Sequence, residues 1–369
     1  MLKVSLVTIF DNPNFGTYLQ ALALSKILER LGATVEIVNY WREFNIYHKN
    51  LNPFRPGFIS RLVRLIRNVG IIMVRKRQHR YIEKEVELTQ RYTSYKQLKK
   101  NPPQADIYLT GSDQVWNTRH NHGIDKAYYL GFAPMGKRKC AYGASIGMHE
   151  IETKFKEETA LLLLQYDFIS VRESSNVELL LGIGIGPVEM VLDPTLLFNR
   201  ADWKNYVKEK LRPEEKYLLV YSVESATQRE LIAEIAGRVS KEKKLKKICI
   251  SYGGRGSRIP CCDKYYYYST LERFLTLFYY ADFVVVSSFH GTAFSINMNK
   301  PFITVAPERF SSRVDGLLQL IDLKERKVSK MEEFKHSLLA VPNYVEINKI
   351  LDTERQRSIL LIKERILTQ

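Results

Sequence analysis

The sequence predicts an α/β protein of two domains that face each other across a cleft. Three observations predict it. A strand–helix–strand pattern opens the chain at MLKVSLVTIF and begins again at Lys216. The length of 369 residues suits two cores, at roughly 100–200 residues per domain. The polar, glycine-containing stretches fall at the carboxyl ends of apolar strands, where open α/β sheets bind ligands.

Val4–Phe10 is an apolar run that reads as a first strand, and Asp11 and Asn12 follow without the small-residue cleavage site of a signal peptide. After the polar turn DNPNFG, the residues Tyr18, Leu19, Ala21, Leu22, Leu24, Ile27, Leu28 and Leu31 recur at helical spacing, and Gly32 ends the helix. ATVEIVNY alternates as a second strand, so a βαβ unit and a parallel sheet are expected. ADIYLTGSDQ and RKCAYGASIG each read as a strand running into a glycine turn, and Phe168–Arg172 and Met190–Leu192 as shorter strands. DPTLLFNRADWKNYVKEKLRPEE, charged and proline-bearing, reads as the linker. The second cycle is YLLVYSV, the helix TQRELIAEIAGRVSKEK, KKICISYGG, the helix LERFLTLFYYA, the strand DFVVVSS, PFITVAP and a helix opened by FSSRVDGLL. Domains are thus expected at 1–192 and 193–344, with 345–369 an amphipathic helix packing back on the first domain.

Hydrophobic residues make up 45% of the chain and charged residues 26%, which is globular composition. No segment reaches the roughly 20 apolar residues that span a bilayer. Cys140, Cys249, Cys261 and Cys262 make neither a disulfide framework nor a zinc spacing, so a metal-free cytoplasmic protein is expected. The formal charge of +16 is uneven. Arg55–Lys100 holds 13 Lys or Arg against 3 Glu, a field that favours phosphorylated small molecules, lipid headgroups or nucleic acid. Within it, Phe58–Arg80 reads either as an interfacial amphipathic helix on an anionic membrane surface or as a core helix with one solvated face.

Five stretches could carry chemistry. Asn14, Gly16 and Thr17 start a helix whose backbone N–H groups suit an anion, although ordinary capping explains them as well. Ser112, Asp113, Gln114 and Asn117 follow a strand beside Trp116, a stacking surface with hydrogen-bonding groups, or else a cap with a packed indole. YGASIG, with Tyr142 and Ser145, has small residues that permit close approach of a ligand. Arg172 leaves a strand end as a fork suited to carboxylate or phosphate, or as one half of a salt bridge. VVVSSFHGTAFSI places His290 at the cleft edge, with Gly291 where the backbone turns and Thr292 in the next helix's first turn. Its imidazole can move a proton near neutral pH, or else it is a structural histidine.

In this order, NFGTYLQALAL, GSDQVWN, YGASIG, the VRE strand end, VLDPTLL and SFHGTAFSI resemble the polysaccharide pyruvyl transferase family, from about Lys3 to Leu323. The basic segment, the loop KYYYYST and the C-terminal helix lie outside that signature. The resemblance implies two Rossmann-like domains, similar to GT-B glycosyltransferases. It implies transfer of a pyruvyl group from phosphoenolpyruvate to two hydroxyls of a sugar, with no cofactor beyond this donor. The partners implied are phosphoenolpyruvate and a sugar or lipid-linked oligosaccharide acceptor, not nucleic acid. In this reading the protein is cytoplasmic, free or at the inner face of the membrane. His290 is the expected general acid. Arg172, Arg313, Ser288, Gly291 and Thr292 are expected on the donor side; Asn14, Gly16, Thr17, Ser112, Asp113, Gln114, Trp116, Asn117, Tyr142 and Ser145 on the acceptor side. Many family members carry an arginine two residues before the histidine, where this chain has Ser288, and Arg313 or Arg172 is expected to supply that charge. A glycosyltransferase with a nucleotide-sugar donor, and a non-catalytic sugar-binding protein, are the alternatives.

Overall fold

The computed structural model describes residues 1–10, 12–42, 58–223, 226–254, 258–260, 262–306 and 312–368, with the side chains of 58–68 and 226–227 left out. Asp11, Cys261, Ser311 and Gln369 lie outside the described residues. The first sheet has seven parallel strands: β1 (Lys3–Val7), β2 (Thr34–Ile37), β3 (Glu87–Leu88), β4 (Ile107–Thr110), β5 (Arg138–Ala144), β6 (Phe168–Val171) and β7 (Glu189–Met190). Their spatial order is β3-β2-β1-β4-β5-β6-β7. The second sheet has six: β8 (Tyr217–Tyr221), β9 (Lys246–Ile250), β10 (Lys264–Tyr266), β11 (Phe283–Val286), β12 (Phe302–Val305) and β13 (Lys327–Val328). Their order, β10-β9-β8-β11-β12-β13, repeats that of the first sheet.

In both sheets the strand order therefore reverses between the first and fourth strands, β1 and β4 in one domain and β8 and β11 in the other. Such a switch point opens a crevice at the carboxyl ends of the strands. The loops expected to carry chemistry leave β1, β4 and β11, so the topology places them in these two crevices.

Helix α1 (Phe15–Arg30) joins the domains. Asn14 caps it by accepting from Gly16 N at 3.0 Å, and Gly32 takes the left-handed φ of 90° that follows its end. Thirteen of its 16 residues are buried. A helix apolar on all sides belongs inside a core, and this one lies between the first sheet and the linker turn and helices of the second domain. Phe15 meets Tyr221, Tyr252 and Phe274 of the second domain, the last at 4.7 Å between ring centres. One apolar cluster runs from Leu6 and Leu22 through Phe198 and Trp203 to Leu219 and Phe294.

The expected linker is part of that cluster. Asp193 caps the turn Pro194–Leu197, with proline at a position where a helix needs no N–H. Trp203 Nε1 donates to Thr195 O at 3.0 Å, and Asn297 Nδ2 to Phe198 O at 2.7 Å. Charge at Arg200, Lys204 and Lys208 concealed an apolar stripe of Leu196, Leu197, Phe198 and Trp203.

Helices α2 (Phe58–Glu85), α3 (Leu271–Tyr280), α4 (Phe289–Asn297), α5 (Ser312–Leu320) and α6 (Tyr344–Leu361) complete the parts that position the site. α6 packs back on the first domain, as expected. Ser358 Oγ accepts from Leu192 N at 3.1 Å, and just beyond the helix end Arg138 Nη2 donates to Arg365 O at 2.7 Å.

Phe15→Ala should cost about 3–5 kcal/mol of stability, the usual loss for a buried Phe. Because this ring belongs to both domains, chemical denaturation should show one transition moved to lower denaturant. A second domain that keeps its original midpoint would show that the domains are not joined through Phe15.

Candidate active site

Arg172, delivered by β6, is 1% exposed and lies among three carboxylates. Its Nη1 donates to Asp193 Oδ2 at 2.5 Å, its Nε to Glu173 Oε1 at 3.1 Å and its Nη2 to Asp113 Oδ1 at 3.2 Å. The carboxylates come from the ends of β7, β6 and β4, so one guanidinium ties three strand ends together.

Each carboxylate has further donors. Asp113 accepts from Gln114 N at 2.8 Å and from Thr17 Oγ1 at 3.1 Å. Glu173 accepts from Ser145 Oγ at 2.9 Å and from Asn176 Nδ2. Asp193 accepts from Thr195 N and Oγ1 at 2.9 and 2.7 Å. Burial works to raise the Asp113 and Asp193 carboxyls, but Arg172 and His290 outweigh it and hold both below the usual carboxylate range. Burial wins at Glu173, which is raised despite Arg172. Asp113 reaches its position at φ 70°, in the left-handed region that few non-glycine residues occupy.

His290 approaches from the second domain. β11 ends at Val286, and Ser288 caps α4 by accepting from Gly291 N at 3.0 Å. The imidazole is 6% exposed, and its Nε2 has no hydrogen-bond partner among the described residues. Asp193 Oδ2 stands 3.9 Å from that nitrogen, and the Phe289 ring packs edge-on at 5.2 Å. On the facing domain Gly16 touches the ring, for a Cβ there would lie 2.1 Å from His290 Cγ. Gly16 is therefore needed for close approach between domains. Burial pushes the His290 pKa below its ordinary value, with Arg172 and Arg313 adding to the effect while Asp193 and Asp113 oppose it.

A pocket of about 220 Å³ opens beside this cluster, lined by Arg172, Glu173, Asp193 and Phe289 on one side and by Arg313 and Gly316 of α5 on the other. Among the described residues no group of His, Cys, Asp or Glu has the arrangement of a metal centre.

Several residues expected on the acceptor side are core instead. Trp116 is 2% exposed, donates to Tyr128 O at 3.2 Å and stacks on Tyr129, so it offers no open surface for a sugar. Tyr142 OH donates to Leu192 O at 2.9 Å. Asn117 donates to Gln114 Oε1 at 2.7 Å and caps the turn at His120. The small residues of YGASIG admit a neighbouring loop, since a Cβ on Gly147 would lie 2.3 Å from Gln114 Oε1. On the donor side Arg172 has all three of its nitrogens on carboxylates, and so presents no open fork in this state. Thr292 Oγ1 bonds to Ser288 O and Thr304 Oγ1 at 3.0 and 2.9 Å. Asn14, Gly16, Thr17, Ser112, Asp113, Arg172, His290 and Arg313 do converge. Glu173, Asp193 and Phe289 were not singled out; a carboxylate directly after an arginine at a strand end, and an Asp-Pro cap after a strand, were the available signals for the two acids, and Phe289 had none.

A sequence profile of the family described as polysaccharide pyruvyl transferase matches residues 14–309. The chain belongs to this family. No curated protein matches it in sequence. Among solved structures it is similar to Anabaena HepE in complex with UDP-glucose, at 9% identity and a TM-score of 0.52 over 98% of this chain and all of that one. It is also similar to UDP-GlcNAc 2-epimerase from Methanocaldococcus jannaschii, at 12% identity and 0.51 over 95% and 92%. A glycosyltransferase from Rickettsia africae matches at 13% identity and 0.50 over the full length of both chains. These likenesses show the fold, two Rossmann-like domains of the GT-B type.

The depressed His290 pKa has a consequence for stability. The unfolded chain protonates this histidine near pH 6.5, whereas the folded chain does so only at lower pH, so the unfolded state binds more protons between the two values. Stability should fall as pH drops from about 6.5 through the folded pKa. His79, also lowered by burial, adds a slope of the same sign. Urea denaturation at stepped pH should therefore show a shallower decline in His290→Gln than in the parent, and equal slopes would contradict the assigned direction.

Proposed function

We propose that this transferase moves a pyruvyl group from phosphoenolpyruvate to two hydroxyls of a sugar in a surface polysaccharide or its precursor, forming a cyclic ketal. The observation that carries the reading is His290 Nε2, buried without a hydrogen-bond partner among the described residues where the two switch points meet and 3.9 Å from Asp193. The resting imidazole is neutral near pH 7. A donor bearing phosphate and carboxylate brings negative charge that favours the imidazolium, and Arg313 at the pocket wall is the proposed contact for it. Arg172 is assigned the role of holding the carboxylates.

The protonated His290 gives its proton to carbon 3 of the donor, and an oxocarbenium-like centre forms at carbon 2. The first sugar hydroxyl adds there and returns its proton to the imidazole. The second hydroxyl then displaces phosphate, which carries away the second proton. Two O–H bonds are lost, one C–H bond is gained and phosphate leaves protonated. The loop Asn14–Thr17 with Asp113 is the proposed acceptor wall.

Positioned acid catalysis is typically worth about 100 to 10,000-fold. His290→Ala should lower turnover by that order with donor binding largely kept, and Gln should not rescue it. The assay is phosphate release from phosphoenolpyruvate with candidate acceptors, read beside a UDP-sugar control. Near-normal turnover per folded His290→Ala molecule would remove His290 from the mechanism, and activity with the UDP-sugar alone would replace the donor.

The same reading places the protein on the cytoplasmic side, at a membrane surface. Among the described residues no helix is long and apolar enough to cross a membrane. On α2, Val69, Ile72 and Met73 are 48%, 43% and 56% exposed and are followed by exposed Lys76, Arg77 and Arg80. Val74, Gln78 and Ile82 face inward. An exposed apolar stripe edged with basic residues suits anionic lipid. Phe58–Asn68, the first half of the segment, has side chains outside the described residues. Flotation with anionic liposomes at low salt should carry the protein upward, and the double variant Ile72→Glu, Met73→Glu should stay behind. Equal recovery of parent and variant in the unbound fraction would leave α2 as a core helix with one solvated face.

A further inference from the structure

Tyr268 is held between two glycines from different domains. A Cβ on Gly70 of α2 would lie 2.4 Å from Tyr268 Cε1 and Cζ, and one on Gly254, in the loop after β9, would lie 2.3 Å from the Tyr268 hydroxyl. The ring therefore bridges the first domain to the second. Its backbone stands at φ 48°, in the left-handed region that disfavours any residue with a side chain. Such a conformation persists only where its surroundings hold it. The second domain does so, because Tyr268 N donates to Gly253 O and Ser269 N to Ser251 O, both at 3.1 Å. Toward α2 the link is weaker: the ring packs on a glycine, and Arg77 Nη1 donates to Tyr268 O at 3.5 Å, the outer limit of a hydrogen bond.

This contact and the pocket beside Arg172 lie at opposite ends of the cleft. In the first sheet β7 is one edge and β3, which follows α2, is the other. In the second sheet β12 and β13 lie at one end and β10, which precedes Tyr268, at the other. The ends of β6 and β7 together with α5 build the pocket. The far end is spanned by α2 and the loop after β10. Gly16 and His290 follow the inner strands β1 and β11, so the imidazole stands between the two ends. The far end is also joined to the site. Eight residues of helix separate Gly70 from Gln78, about 12 Å at ~1.5 Å per residue, and Gln78 Nε2 donates to Pro13 O at 3.0 Å on the loop that leads into Gly16.

We infer that Tyr268 is a latch: it bars the α2 end of the cleft, and its release from Gly70 opens the path by which the sugar acceptor reaches His290. With the pocket assigned to the donor, the acceptor is left the end that this ring closes. That the incoming group is an acceptor sugar rests on the pyruvyl-transfer reading above; the latch itself does not. A strained residue held firmly on one side and weakly on the other releases from the weak side, so the ring leaves α2 and stays with the second domain.

Modification by diethyl pyrocarbonate at pH 7, followed residue by residue by mass spectrometry, reads access to His290 without reference to the reaction. The reagent takes a neutral imidazole, and burial holds His290 neutral at that pH. Two variants release the latch from opposite sides. Tyr268→Gly removes the ring and suits the left-handed backbone, and Gly70→Ala adds the methyl that the ring excludes and suits a helix interior. In both, His290 should be modified roughly tenfold faster than in the parent, because the open state is more populated, with exposed His149 and His336 unchanged. Phosphate release from phosphoenolpyruvate should then show a lower KM for oligosaccharide acceptors in both variants and an unchanged KM for the donor. A His290 rate equal to the parent's in either variant overturns the latch. Faster modification of His149 and His336 alongside His290 assigns the effect to loss of fold, which overturns it equally. Faster modification of His290 alone, in a protein that releases no phosphate from phosphoenolpyruvate, leaves the latch standing and removes the reaction.

Discussion

The Arg172 guanidinium is the charge on which the site depends. Asp113, Glu173 and Asp193 come from three separate strand ends and would repel one another if gathered without it. A planar fork of donors can satisfy several carboxylates at once in a way a lysine cannot. Removing one partner of a buried ion pair leaves the rest uncompensated, at a cost of about 3–5 kcal/mol. The local geometry follows from this requirement. Thr17, Ser145, Asn176 and Thr195 supply hydrogen bonds to the remaining carboxylate oxygens, and Asp113 takes a left-handed backbone to present its side chain. The same Asp193 oxygen that accepts from Arg172 stands within reach of His290, so the cluster that ties the strand ends together also sets the electrostatics of the imidazole.

Joining two domains through a wholly buried helix has a second effect. Domains of one chain usually meet through modest, polar interfaces and move relative to one another. Here α1 is enclosed by the first sheet, the linker turn and α3, and the linker residues Leu196–Phe198 and Trp203 are packed into the same apolar cluster. That packing fixes the contact of Gly16 with His290 to within the tolerance of a single methyl group. The position of the imidazole against the first domain is therefore set by the core.

Much of this was legible in the sequence, and the reasons differ from element to element. Strand β1, helix α1 and the second cycle from Tyr217 carry clear apolar periodicity, and periodicity survives without knowledge of neighbours. The convergence of Asn14–Thr17, Asp113, Arg172 and His290 followed from each lying at a strand's carboxyl end. The misreadings concern pairs of loops. TGSDQVWN and YGASIG look like two ligand-facing turns when taken singly, but β4 and β5 are adjacent, so these turns pack on each other and bury Trp116 and Tyr142. Strand adjacency is a tertiary fact that local composition does not encode. The packing of the linker escaped notice for a related reason: its charges dominate the composition, while the four apolar residues Leu196, Leu197, Phe198 and Trp203 are buried only in the folded chain. Arg172 reads alike as a fork for a ligand or as a buried hub, and only the positions of three distant carboxylates decide between them.

The electrostatics of the cluster bear on how the proposed reaction could be timed. With His290 neutral, three carboxylates face the two guanidiniums of Arg172 and Arg313, and burial disfavours a further charge on the imidazole. A resting enzyme in that condition holds no acidic proton to lose to water or to a wrong partner. An incoming phosphate and carboxylate alter the balance, since each negative group near a buried imidazole favours its protonated form. The proton then arrives with the donor, and Asp193 Oδ2, too far at 3.9 Å to bond the neutral ring, becomes an ion-pair partner for the charged one. Seen this way, a histidine with a lowered pKa is no obstacle to acid chemistry. In the proposed reaction, burial suppresses the acid until the donor's own charge restores it, so that proton uptake and donor binding are one event.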